Sequence, residues 1–150
     1  MKILFVCTAN IVRSFMAERI LVGRLEKDKK THIQVSSAGI IDMEGAPPDS
    51  ISRDILHEHK FNGDGHISTL LTDEMVTDAN MIIVMENIHR EILYNKYPES
   101  KGKIYLLKSF SRDYSEEYGD IKDPYKLSIF HYRLCFAEIY MAIDGVLKCI

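Results

Sequence analysis

The sequence predicts an α/β sandwich, a parallel sheet flanked by helices, and three observations carry that expectation. Short unbroken apolar runs, "KILFV", "MIIVM" and "KIYLL", have the pattern of strands covered on both faces. Between them lie longer segments whose apolar residues recur at helical spacing. A length of 150 residues is that of one ordinary domain, able to bury a core without disulfides or structural metal, so residues 1–150 are expected to form a single domain. Strands alternating with helices build a parallel sheet whose ligands bind at the carboxyl ends of the strands.

Each element has its own signal. "KILFV" runs directly into Cys7 as the first strand. The segment "SFMAERILVGRLEK" sets Met16, Ile20, Leu21 and Leu25 on one face of a helix, with Ser14 as its candidate N-cap. "HIQVSSAG" reads as a second strand closed by a Ser-Ala-Gly turn, and "DMEGAPPDS" as a loop, since glycine and paired prolines break regular structure. Asp49 or Ser50 then caps a helix reaching about Glu58. Met81 to Met85 form a third strand, "NIHREILYNKY" a helix, and "KIYLL" a fourth strand. Lys108 to Pro124 is polar, acidic and tyrosine-rich, a long loop of the functional kind. A closing helix from about Lys126 to Lys148 carries Phe130, Leu134, Ala137, Ile139, Met141, Ile143 and Leu147 at near-helical spacing.

Composition excludes several classes of function. A formal net charge of −3 provides no basic field for a nucleic-acid partner. The apolar stretch Ile3 to Val6 is far too short for a signal-peptide core, and nothing later approaches a membrane span, so no membrane association and a cytoplasmic setting are expected. Cys7, Cys135 and Cys149 are an odd set without C-x-x-C spacing, which suits a reducing compartment and neither a disulfide framework nor zinc. His57 and His59, two apart, do not share a helix face and read as a solvated helix end. Neither metal nor cofactor is expected.

Chemistry concentrates in "VCTANIVRS". Cys7 ends a buried strand, and the following loop feeds a helix N-terminus, where converging backbone N–H groups and the helix dipole stabilise an anion. The same field favours a thiolate, the form of cysteine that attacks phosphorus. Arg13 adds a planar fork able to hold two phosphoryl oxygens. A free cysteine can equally be a small buried hydrophobe, and the loose Cys-x5-Arg pattern gains weight only from the strand before it and the helix after it. Leaving-group protonation needs an acid, and "DIKDPYKLS" offers Asp123, which as a residue type could also be a turn or cap aspartate before the last helix.

Four stretches, "VCTANIVRSFMAE", "SSAG", "ANMIIVMENIHREIL" and "DIKDPY", resemble the low-molecular-weight protein tyrosine phosphatase family over nearly the whole chain. The resemblance implies a four-stranded parallel sheet flanked by helices, with the phosphate-binding loop after the first strand. It also implies metal-independent hydrolysis of phosphotyrosine on protein substrates, through a phosphocysteine, by a monomer or weak homodimer. By the same resemblance Cys7 is the nucleophile, Arg13 the phosphate-binding arginine and Asp123 the general acid. Thr8, Ala9, Asn10, Ile11 and Val12 form the phosphate loop, Asn10 holds its shape and the Ser14 hydroxyl serves the thiolate. Ser37 and His66 match a supporting network, and Tyr125 an aromatic wall of the cleft.

The chain departs from the family pattern at several places. Alanine replaces the usual glycine at position 9, and if that position needs positive φ the cost is about 1 to 2 kcal/mol. Val12 replaces a second cysteine that could trap an oxidised Cys7, so peroxide is expected to drive Cys7 to irreversible acids. Phe15, in place of proline, reads as a packing residue, Lys126 replaces a second aromatic, and Met43 stands where an aromatic is common. Three alternatives share the fold or the loop: an arsenate reductase, which needs further relay cysteines; a protein-arginine phosphatase, which typically has threonine where Ile11 stands; and a phosphate-binding module with little catalysis.

Overall fold

The computed structural model describes residues 1–150. Four strands, β1 (Lys2–Cys7), β2 (Gln34–Gly39), β3 (Met81–Val84) and β4 (Ile104–Leu106), form one all-parallel sheet in the order β2-β1-β3-β4. Five α-helices accompany it: α1 (Arg13–Lys27), α2 (Ser50–Glu58), α3 (Asp73–Asp78), α4 (Asn87–Lys96) and α5 (Ile129–Leu147).

Burial explains the unbroken apolar runs. Side chains alternate across a strand, so Ile3, Phe5 and Cys7 join the core beneath α1, α2 and α5, while Leu4 and Val6 join a second core with α3 and α4. Strand order reverses at β1: the chain moves from β1 to one neighbour, β2, and later returns to its other side as β3. The loop after β1 therefore lies at the crevice where α/β sheets place ligands.

The structure corrects five local expectations. Ser37, Ala38 and Gly39 form no turn: they are the last residues of β2, held extended by parallel pairing with Phe5, Val6 and Cys7 of β1. Ser14 is not an N-cap: α1 begins at Arg13, flanked by Val12, and its ladder opens with the Met16 amide on the Val12 carbonyl at 2.9 Å. The serine hydroxyl is thus inside the first turn and points to the loop. α3 is an additional helix that carries no periodic signal, because six residues are too few for one; Thr72 caps it by accepting from the Met75 amide at 3.2 Å. The stretch from Lys108 to Pro124 is not wholly irregular, since 3₁₀ turns span Leu107–Phe110 and Glu116–Tyr118. Within it Ile121 is fully buried and ties to the Met85 carbonyl at 2.9 Å.

The closing helix is the fifth correction. It starts at Ile129 because Lys126 adopts φ 63° and the Leu127 amide closes a turn on Pro124, with Ser128 flanking the helix. Its apolar residues also divide between two faces. Tyr132, Phe136, Ile139 and Ile143 are buried, whereas Phe130, Leu134, Ala137 and Met141 are exposed. Of the two candidates Asp49 caps α2, accepting from the Ser52 amide at 3.0 Å, and Phe15 packs fully buried with its ring stacked 4.4 Å from that of His66.

Candidate active site

β1 delivers Cys7, 2% exposed, to the floor of a small cavity of about 70 Å³. The chain then reverses through residues 8–12 into α1. The residue that makes the reversal is Asn10, with φ 57°. Ala9 is not left-handed, so the strain foreseen for alanine there does not arise. Asparagine tolerates this backbone because its short amide satisfies local partners. Here the Asn10 amide nitrogen of the side chain donates to Ser14 Oγ and Ser37 Oγ, each at 2.8 Å, and its Oδ1 accepts from the Thr69 amide at 2.9 Å. Its carbonyl accepts from His66 Nε2 at 2.7 Å. Fully buried, Asn10 leaves no polar group unpaired.

This lattice reaches the sulfur. The Asn10 backbone N–H donates to Cys7 Sγ at 3.3 Å, and Ser14 Oγ lies 3.0 Å away. Because Ser14 already accepts from Asn10, its own proton is available for the sulfur. Behind it, Ser37 donates to the Glu18 carboxylate, which orients the serine's lone pairs toward Asn10. Ser68 Oγ steadies the Ala9 carbonyl at 2.8 Å. Burial holds the His66 pKa below its usual value, only partly opposed by its bond to the Asn10 carbonyl, so the ring stays neutral and its Nε2–H is the donor.

Arg13, 2% exposed, begins α1 beside the loop. Its Nη1 donates to the Glu86 carboxylate and to the Ile121 carbonyl, the latter at 2.9 Å. The other arm is turned to the cavity, with Nη2 at 3.5 Å from Thr8 Oγ1 and 3.6 Å from Asp123 Oδ2. Glu86 is in turn held in a capping box at the start of α4, where His89 Nδ1 accepts from the Glu86 amide at 3.1 Å. That bond fixes the tautomer, so His89 Nε2–H donates to Thr8 Oγ1 at 2.9 Å. Burial, reinforced by the Arg13 charge, pushes the His89 pKa down to about 4.

The cavity's other walls come from far along the chain. Asp123, half-exposed, accepts from the Tyr125 amide through Oδ1 at 3.1 Å while Oδ2 faces Arg13. Ile11, Val12, Met43 and Tyr125 supply apolar surface around the mouth, and Lys126 Nζ lies 5.6 Å over the Tyr125 ring. Gly39, ending β2, lets the loop come close: a Cβ there would stand 2.9 Å from the Ala9 carbonyl carbon and 3.0 Å from the Thr8 oxygen. No three His, Cys, Asp or Glu side chains converge as a metal site.

The structure therefore brings Cys7, Ala9, Asn10, Ile11, Val12, Arg13, Asp123 and Tyr125 around one cavity, with Ser14, Ser37 and His66 beneath it and Thr8 turned toward Arg13 and His89. Sequence reasoning missed Glu86, His89, Glu18, Ser68 and Thr69. A signal existed for the first two: an acid at the carboxyl end of a buried strand, followed at three residues by a histidine, is a capping pattern at the ligand edge of the sheet. A thiol under a cationic fork, with a carboxyl across the opening, can attack a bound phosphomonoester and protonate its leaving oxygen.

The model of the low molecular weight phosphotyrosine protein phosphatase family matches residues 2–150. This chain belongs to that family. It is 35% identical over 147 residues to the low molecular weight protein-tyrosine-phosphatase PtpA of Staphylococcus haemolyticus, covering 96% of this chain and 92% of that protein. It is 33% identical over 143 residues to a protein-arginine-phosphatase of Geobacillus stearothermophilus, covering 95% and 91%. The solved low molecular weight protein tyrosine phosphatase from T. tengcongensis superimposes with a TM-score of 0.90 at 30% identity, covering 100% of this chain and 99% of the other. The four-stranded parallel sheet flanked by helices is thus that of low molecular weight phosphotyrosine protein phosphatases. No helix is long and apolar enough to cross a membrane.

Proposed function

We propose that this chain hydrolyses phosphotyrosine on protein substrates, with a phosphocysteine formed on Cys7. The observation that carries the reading is the juxtaposition, around one cavity, of the Cys7 sulfur, the inward arm of Arg13 and the Asp123 carboxylate, 3.6 Å from that arm. The thiolate attacks phosphorus in line; the bond from phosphorus to the phenolic oxygen breaks as Asp123 gives that oxygen its proton. Arg13 and the loop amides hold the equatorial oxygens. Water then attacks the phosphocysteine, Asp123 takes its proton, the S–P bond breaks, and inorganic phosphate leaves with the thiolate regenerated. Ser14 and the Asn10 amide carry the sulfur's charge in both steps.

Tyr125, Ile11 and Met43 around the mouth suit a phenyl ring. The similarity to a protein-arginine-phosphatase, close to that with PtpA, supports a second reading as a phosphoarginine hydrolase. Ile11, apolar where that class typically carries threonine, favours the aryl substrate. Cys7 is the one cysteine lining the cavity, and an arsenate reductase would need relay thiols there. Hydrolysis of p-nitrophenyl phosphate by the native chain and its abolition in Cys7→Ser is the expected result; undiminished turnover by that variant refutes the mechanism. Phosphotyrosine and phosphoarginine peptides compared by kcat/KM then separate the two substrates.

A further inference from the structure

The outer face of α5 is apolar where a surface helix is normally polar. Phe130 and Leu134, one turn apart, are 67% and 47% exposed, and Leu127, just before the helix, is 51% exposed. These three line a groove of about 310 Å³ together with Asp123 and Pro124. The same Asp123 lines the cavity over Cys7. One carboxylate therefore partitions two depressions, one built for an anion and the other for hydrocarbon.

Resting on the reading of this chain as a phosphatase of proteins, we propose that the groove receives a large apolar side chain of the substrate, from a residue close in sequence to the phosphorylated one. The shared wall sets the spacing. An extended peptide advances roughly 3.3 Å per residue, so a chain that seats its phosphate beyond Asp123 carries its near neighbours past the groove. A volume of about 310 Å³ accommodates a Leu, Met or Phe side chain and is too small for a docked helix. Its charged lining residues are of both signs, Lys122 opposing Asp123 and Glu138, so apolar fit rather than charge selects the occupant.

The test uses paired phosphotyrosine peptides that differ only by Leu or Ser at the positions flanking the phosphorylated residue, together with p-nitrophenyl phosphate, which does not reach the groove. The native chain should prefer the Leu peptides about tenfold in kcat/KM, equivalent to about 1.4 kcal/mol. The double variant Phe130→Ser/Leu134→Ser should lose that preference and keep its rate on p-nitrophenyl phosphate. Equal use of both peptides by the native chain, or an undiminished preference in the variant, overturns the proposal. So does a native dimer, seen by sedimentation, that the double variant converts to monomer, because the stripe would then be a self-interface. Failure of the native chain on p-nitrophenyl phosphate itself would bring down the catalytic reading first, and this proposal with it.

Discussion

At the scale of single residues, the site depends on hydrogen bonds buried beneath the cavity. The Asn10 side chain and carbonyl bond Ser14, Ser37, Thr69 and His66, and its N–H bonds Cys7 Sγ, while the residue holds a left-handed backbone. Asn10→Ala should cost about 3 kcal/mol, combining lost buried hydrogen bonds with about 1 kcal/mol for alanine at positive φ. Asn10→Gly should recover only the backbone part, and urea midpoints of the two variants measure the split. Equal stability in both variants would show that the side-chain lattice, rather than the turn, carries the whole effect. The family resemblance implies that Asn10 holds the loop's shape; the partners through which it can do so are visible only in the fold.

At the scale of elements, the end of β2 presses on the loop after β1. Gly39 pairs with Cys7 in the sheet and leaves no room for a side chain against Thr8 and Ala9. Gly39→Ala should reduce kcat/KM for an aryl phosphate by more than tenfold, with a loss of only about 1 to 2 kcal/mol in stability, since the backbone contacted is the loop proposed to cradle the anion. Kinetics and denaturant melts on the same preparation decide it; an active variant with a displaced melt would mean that the loop gives way without consequence. "SSAG" reads as a turn but continues β2 to its end, and the close approach of the loop explains why that strand ends in glycine.

At the scale of the whole molecule, two buried histidines link distant segments to the loop, and both are held neutral by burial. An unfolded histidine titrates near 6.5, whereas His89 in the fold does so at about 4. Between those values the unfolded chain binds a proton that the fold refuses, so stability is intact above about pH 6.5 and falls as pH drops toward 4. His89 alone accounts for about 3 kcal/mol of that fall. His89→Gln keeps an amide donor for Thr8 and an acceptor for the Glu86 amide, and should flatten the decline of thermal midpoint with pH. Parallel curves for the two proteins would assign the acid sensitivity elsewhere.

Local pattern was enough to establish the strand runs, the order of the four strands and their longer helices, a cap at Asp49 or Ser50 and the thiol followed six residues later by its arginine, because these arise from periodicity and short-range backbone chemistry. It misjudged Ser14 and the faces of α5, since a hydroxyl's partner and a helix's buried side are chosen by what packs against them. Only the folded sheet brings Asp123 opposite Cys7 and turns Glu86 and His89 toward Arg13 and Thr8. Those pairings span 73 to 116 positions, and no local rule encodes which distant segments a reversing strand order will bring to one crevice.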